Sequence, residues 1–385
     1  MSDLPITNCH VHAFTMEHVP DRYIRFGLLN VLKARPVRQA LLWTLPRLLP
    51  LRHRDVLERA ARFAAISSVD NGQEGILRTV RGYYPRGARF VVLPMDMAHM
   101  GKGRPAEDLP AQHDELARIA ALPDLAGTIL PFATFHPDRG LAGVDEVKRC
   151  FDMGFRGLKL YPPLGFPPDH PLLMEQVYPL CVERNLPVIS HCSRGGVSHV
   201  GLDRLEEAWR AGRGGAEPRR FASPHAFKPV MEAFPDLRVC LAHFGGAIDW
   251  RDYLEQPMDP DRADLREANW LTAILDMMGD PKYANLYTDI SYTIFYFDEN
   301  FPALRVFLDD AQVAARVLFG SDFYMAEMER LPERSLSIRL RHALGRDLFH
   351  RIACENPERW LTGTAPAPAP EPEPAPKVDD APPIG

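Results

Sequence analysis

The sequence has no excess of basic residues, no Cys-x-x-Cys pair and no uninterrupted apolar run of membrane-spanning length. A formal charge of -6 and a pI near 6.2 provide no positive field of the kind that neutralises phosphates, which argues against a nucleic-acid partner. The six cysteines, at positions 9, 150, 181, 192, 240 and 354, are widely scattered. Several sit inside apolar runs, so they read as reduced, buried thiols and not as a disulfide framework. No basic segment followed by an apolar one precedes the first strand pattern, and a cytoplasmic location is the expectation. The most apolar stretch, residues 37–51, is broken by Arg38, Pro46 and Arg47 and falls short of the ~20 residues a bilayer crossing requires. It reads as a buried or interfacial helix, and no membrane partner is expected.

What the sequence does contain is an enzyme-sized supply of apolar residues in a repeating pattern. With 385 residues and 46% hydrophobic composition, the chain can bury a large core. Eight short apolar runs alternate with helical stretches: residues 6–12, 90–97, 128–135, 155–161, 187–192, 238–243, 285–291 and 317–322. Continuous apolar runs separated by helices indicate parallel strands covered on both faces. Helices are expected over 142–152, 172–184, 227–234, 264–278, 301–311 and 327–344. Eight such units predict an α/β fold, a TIM (β/α)8 barrel; an open doubly wound sheet is the alternative. The barrel domain is expected to span residues 1–361, with a largely helical insertion over 13–85. Residues 364–385 alternate Pro with Ala and Glu, a composition that favours a disordered, solvated tail.

Polar residues recur at the carboxyl ends of the expected strands, where barrel enzymes place their chemistry. The first strand ends in Asn8-Cys9-His10-Val11-His12, and side-chain alternation sends both imidazoles to one face. Lys159 follows on the fourth strand in Gly-Leu-Lys-Leu-Tyr-Pro, and His191 on the fifth in Ile-Ser-His-Cys. His243 stands on the sixth in Leu-Ala-His-Phe-Gly-Gly, and Asp322 on the eighth in Phe-Gly-Ser-Asp-Phe. A histidine or aspartate buried alone is satisfied by its own partner, but six such groups on five strands are satisfied together by a shared cation. Neutral imidazole suits zinc, copper, nickel or iron.

The order His-x-His, Lys, His, His, Asp, with the strings Ala-His-Phe-Gly-Gly and Phe-Gly-Ser-Asp, resembles the amidohydrolase superfamily. The likeness is narrower to its amidohydrolase-related branch of hydrolases and metal-dependent decarboxylases, and it spans residues 5–361. One departure is Asn8, at a place where the family often has Asp; the amide bears on how the ligands are supported, not on whether the site exists. The resemblance implies a divalent metal, zinc by expectation and one or two ions, bound by His10, His12 and Asp322 with His191 as a further ligand. Asp322 would also shuttle a proton, and His243 would either bind a second ion or position the attacking water. Lys159 would either bridge two ions as a carbamate or stay cationic.

Hydrolysis of an amide, lactone or similar carbonyl compound is the leading reading of function. Decarboxylation of a carboxylic acid within the same family is the runner-up, and a non-catalytic, metal-stabilised scaffold is the reading from another class. A small-molecule substrate is expected, with Arg194, His136, Arg251 and Tyr324 as candidate pocket residues. The apolar surface of residues 26–51 suits a lid or a homodimer contact.

Overall fold

The computed structural model describes residues 4–23, 62–212, 220–255, 263–292 and 299–364. The apolar runs fold as short parallel strands: β1 (Thr7–Val11), β2 (Arg89–Val92), β3 (Ile129–Pro131 and Ala133–Thr134), β4 (Leu158–Leu160), β5 (Val188–Ser190), β6 (Val239–Leu241), β7 (Leu286–Asp289) and β8 (Val317–Leu318). Each strand pairs with the next in sequence, and the Phe132 amide bonds the Val92 carbonyl across the break in β3. The ring closes where the Cys9 amide reaches the Phe319 carbonyl at 2.8 Å and the Asp322 amide the His10 carbonyl at 2.9 Å. The result is a TIM barrel of eight parallel strands with helices between them.

Strand parity sorts the core into two layers. Val188, Val239, Leu241, Leu286 and Val317 belong to the large outer core shared with the helices, whereas Ile189, Cys240, Tyr287 and Leu318 form a smaller inner cluster. Period-2 alternation produces this division in strands covered on both faces. Trp360, from the helix Asn356–Thr362, joins the inner cluster and stacks on Phe132. Lys159 pairs in register with Ile189, and Ile189 with Cys240, so it occupies the inner layer among apolar neighbours. The same parity continues to His191, just past β5, and to Asp289 and Ser291, at and just past the carboxyl end of β7.

β1 departs from simple alternation. Its register slips between Asn8 and Val11; Cys9 joins the inner cluster while Val11 joins the outer core. A bulge re-aims side chains in this way, and here it turns Asn8 outward while His10 and His12 face the site. The Asn8 side chain is fully used there. Its Oδ1 accepts from the amides of His10 (3.2 Å) and Ser321 (3.0 Å), and its Nδ2 donates to Tyr84 OH (3.0 Å) and Ser321 Oγ (2.8 Å). Tyr84 in turn donates to Glu333 at 2.7 Å.

Several expected helices are shorter than their periodicity suggests. The 264–278 helix is two, Ala263–Ala268 and Trp270–Gly279, because Asn269 caps the second by accepting from the Thr272 amide. The 327–344 helix divides into Phe323–Met328 and Glu333–Leu344, with Pro332 between them. The 301–311 helix ends at Leu308, and Asp310 caps a further turn. Helices Leu109–Ala120, Leu202–Gly212 and Ala247–Glu255 were not anticipated from the sequence. Of the 13–85 insertion, the helix Gly72–Arg81 is described; residues 24–61, with the apolar segment, and 365–385, with the Pro-rich tail, lie outside the described residues. All six cysteines are buried and free. No helix among the described residues is long and apolar enough to cross a membrane.

The Glu333 carboxyl is buried at 1% exposure, and burial pushes its pKa up to about 7. Below the ordinary glutamate pKa both folded and unfolded chains carry the proton. Between that value and about 7 only the folded chain does, so stability falls as pH rises and the deficit is complete above pH 7. The variant Glu333→Gln retains an acceptor for Tyr84 and removes this slope. Urea unfolding from pH 5 to pH 8 is expected to show its stability gaining on the parent by ~3 kcal/mol. A constant difference would reject the assignment.

Candidate metal centre and its pocket

The polar residues at the strand ends converge. His10 directs Nδ1 to Asp289 Oδ2 at 2.8 Å, and His12 directs Nδ1 to the Leu93 carbonyl at 2.7 Å. A carboxylate and a carbonyl only accept, so both Nδ1 atoms carry hydrogen. Burial pushes both imidazole pKa values well below the ordinary range and keeps the rings neutral. Their Nε2 atoms are therefore bare lone pairs, and they face each other at 3.3 Å.

A second pair repeats the arrangement. His191 directs Nε2 to the Gly195 carbonyl at 2.9 Å, which leaves Nδ1 bare; burial pushes this ring down to about 3. Ser291 Oγ donates to Asp289 Oδ1 at 2.5 Å and so accepts from His243 Nδ1 at 2.7 Å, which leaves His243 Nε2 bare. His191 Nδ1 and His243 Nε2 lie 3.1 Å apart. The rings of His10 and His243 are 4.8 Å apart and bring the two pairs together. Two pairs of opposed lone pairs without an intervening proton repel one another, and a cation is what satisfies them. Ligand atoms of His10, His243 and Asp322 all lie within 4.8 Å of one another. The donor set of imidazoles and carboxylate fits a divalent transition metal.

Asp289 is the residue sequence reasoning missed. Its Oδ2 holds His10, and its Oδ1 takes the His243 amide (2.9 Å), the Ser291 amide (3.1 Å) and the Ser291 hydroxyl. The seventh strand was recognised over 285–291, and alternation from Tyr287 was the available signal that 289 and 291 face inward. The backbone bends to serve the same end: His243 has φ 69° and Asp322 φ 52°, left-handed conformations costly for residues with a Cβ.

Lys159 Nζ is buried and has no hydrogen-bond partner among the described residues. Burial lowers its pKa to about 8, although Asp289 and Asp322 pull the other way. Burial, with help from Asp289 and Glu333, raises Asp322 to about 7. Tyr161 stacks on His191 with ring centres 4.4 Å apart. A cavity of about 570 Å³ opens on this group, bordered by His12, His191, His243, Asp322 and Tyr324 among others.

Of the remaining candidates, Arg194, His136 and Arg251 are not among the described residues lining this cavity, and Tyr324 is. Arg194 grips the buried Asp249 through two bonds of 2.9 and 3.1 Å and stacks on Trp270 at 4.4 Å. It anchors the loop that carries Gly195. His136 stacks face to face on His99 with centres 3.7 Å apart, and Arg251 is exposed with Asp252 at 3.8 Å. Neither is among the described residues lining the cavity. Tyr324 does line it, stacked on Phe14 at 4.4 Å, with its hydroxyl donating to the Phe14 carbonyl.

A family model described as Amidohydrolase matches residues 9–362. The chain belongs to the amidohydrolase family. Members of this family are metal-dependent, in keeping with the ligand cluster. Similar solved structures include an uncharacterized TIM-barrel protein from Bordetella bronchiseptica, 16% identical, covering 93% of this chain and 98% of that one, with TM-score 0.49. An amidohydrolase from Mycobacterium avium subsp. paratuberculosis is 14% identical, covers 75% and 73%, and has TM-score 0.43. A dihydroorotase from Campylobacter jejuni is 11% identical, covers 93% and 84%, and has TM-score 0.38. Among curated proteins none matches the sequence.

In this amidohydrolase the Asp289 carboxylate orients two imidazoles at once. Replacing it with an amide, Asp289→Asn, turns one acceptor into a donor facing another donor. Metal affinity is expected to fall ~10- to 100-fold, measured by chelator competition, while the far-ultraviolet circular dichroism stays that of the parent. Unchanged affinity would contradict the role given to Asp289.

Proposed function

We propose that this amidohydrolase is a metal-dependent hydrolase of a carbonyl substrate, an amide, lactone or similar compound. The observation that carries the reading is the pair of opposed imidazole lone-pair sets with the Asp322 carboxylate beside them, all opening on one cavity. His10, His12 and Asp322 would hold one ion; His191 and His243 would complete the site or hold a second. A divalent cation there, zinc by expectation, supplies the Lewis acidity that makes water a nucleophile near neutral pH and polarises the carbonyl.

The side chains supply the proton handling. Asp322 accepts a proton from the attacking water as the new C–O bond forms, and returns it to the departing nitrogen or oxygen as the old bond breaks. Asp289 holds His10 directly, and His243 through Ser291, in tautomers that keep Nδ1 protonated and direct the bare Nε2 atoms into the site. Tyr161 covers one face of His191 and limits the entry of stray water. Lys159, without a hydrogen-bond partner among the described residues and with its pKa lowered to about 8, has in its neutral form the lone pair needed to add carbon dioxide; the carbamate so formed, with release of one proton, would be an anionic ligand.

The alternative within the family is loss of carbon dioxide from a carboxylic acid. Both reactions use the same centre and differ in product, so one panel separates them. Purified protein is expected to carry one or two divalent ions per chain by elemental analysis. Metal-loaded protein is expected to cleave members of a panel of lactones, amides and esters without releasing carbon dioxide. Asp322→Asn is expected to lower kcat by ~10²- to 10⁴-fold. Carbon dioxide release from aromatic carboxylates with no hydrolysis would transfer the assignment to the decarboxylase.

A further inference from the structure

We infer that the substrate is an uncharged ester, lactone or amide whose non-reacting part is a bulky apolar chain or ring, an inference that rests on the hydrolase reading. Its basis is the wall of the cavity beyond the metal ligands. Phe14, Phe63 and Tyr324 form one aromatic cluster, with centres 4.4 Å apart for Phe14 and Tyr324 and 5.9 Å from Phe63 to each. Met95, Met97 and Met325 add thioether surface to the same cavity. Methionine is unbranched and polarizable and moulds itself to varied apolar shapes.

Charge is the discriminating feature. Among the described residues lining the cavity there is no lysine and no arginine, and Asp322 is the single carboxylate. Arg194, the cation nearest in sequence to the His191 loop, is committed to Asp249 and to the Ala268 carbonyl. A substrate bearing a carboxylate or phosphate away from its reacting carbonyl would therefore lose its hydration and meet no counter-ion among these residues. The Tyr324 hydroxyl donates to the Phe14 carbonyl, so this tyrosine presents its ring and not its hydroxyl to the cavity. What the pocket rewards is chiefly apolar area, supplied by its aromatic rings and methionines.

The test uses γ-butyrolactone, γ-octalactone and γ-dodecalactone, together with an octanoate ester and its analogue ending in a carboxylate. With metal-loaded enzyme, kcat/KM is expected to rise about two- to fourfold for each methylene that enters the pocket. The carboxylated ester is expected to be at least tenfold poorer than its neutral partner. Met325→Arg, at a partly exposed wall position, should narrow or reverse that preference.

Binding is measured separately through the fluorescence of N-phenyl-1-naphthylamine, a neutral probe, added to the full-length protein as purified. Probe binding displaced by γ-dodecalactone but not by γ-butyrolactone would support the inference even if no lactone or ester were cleaved, and the hydrolase reading alone would then fail. Cleavage that is indifferent to chain length, or that favours the carboxylated ester, would overturn the substrate class and leave the hydrolase reading standing. Absence of probe binding would overturn the class as well.

Discussion

The Asp289 carboxylate is the interaction around which the site is organised. One oxygen orients His10, and the other gathers the backbone of His243 and, through Ser291, its ring. Because a carboxylate can only accept, it dictates which nitrogen of each ring carries hydrogen, and therefore which nitrogen is bare. The His12 and His191 rings receive the same instruction from main-chain carbonyls of Leu93 and Gly195. Four lone pairs turn inward because four acceptors stand behind the rings.

This convergence has a cost in the rest of the molecule. His243 and Asp322 take left-handed backbone, and β1 gives up regular pairing between Asn8 and Val11. Compensation comes from bonds that hold each irregular segment in place: the Asp322 amide to the His10 carbonyl, the His243 amide to Asp289, and the four-bonded Asn8 side chain. Strain of this kind persists where its surroundings over-determine the conformation. Beneath the site, the inner cluster closed by Trp360 provides a buried, apolar floor. The low polarity of that floor is also what depresses the pKa of Lys159.

Much of the barrel was legible in the sequence, and for a definite reason. Strands buried on both faces need near-continuous apolar runs, and all eight runs overlap strands of the barrel. Helix limits were less legible where caps interrupt an unbroken apolar period, as Asn269 does. Of the site, His10, His12, Lys159, His191, His243 and Asp322 could be named because each is a polar residue out of place at the end of an apolar run. Asp289 sits in a similar position but follows Thr288 and lies two residues before Ser291, and near hydroxyl residues a carboxylate draws no notice. Arg194 was named as a candidate pocket residue because loops of barrel enzymes bind substrates; its partner Asp249 stands 55 residues away in sequence, and no local pattern announces the pair.

The sequence by itself determined the succession of strands, which of them end in polar residues and the type of ligand atom available, since apolar runs and residue chemistry are local properties. The tertiary structure alone decided which imidazole nitrogens are bare, that Arg194 is withdrawn from the pocket, and that the described cavity wall is apolar and without a cation. Those features depend on hydrogen-bond partners and neighbours brought together by barrel closure from residues as far apart as His10 and Asp289. Sequence spacing carries no record of such pairings, because the distance that matters to a lone pair or a charge is measured through space.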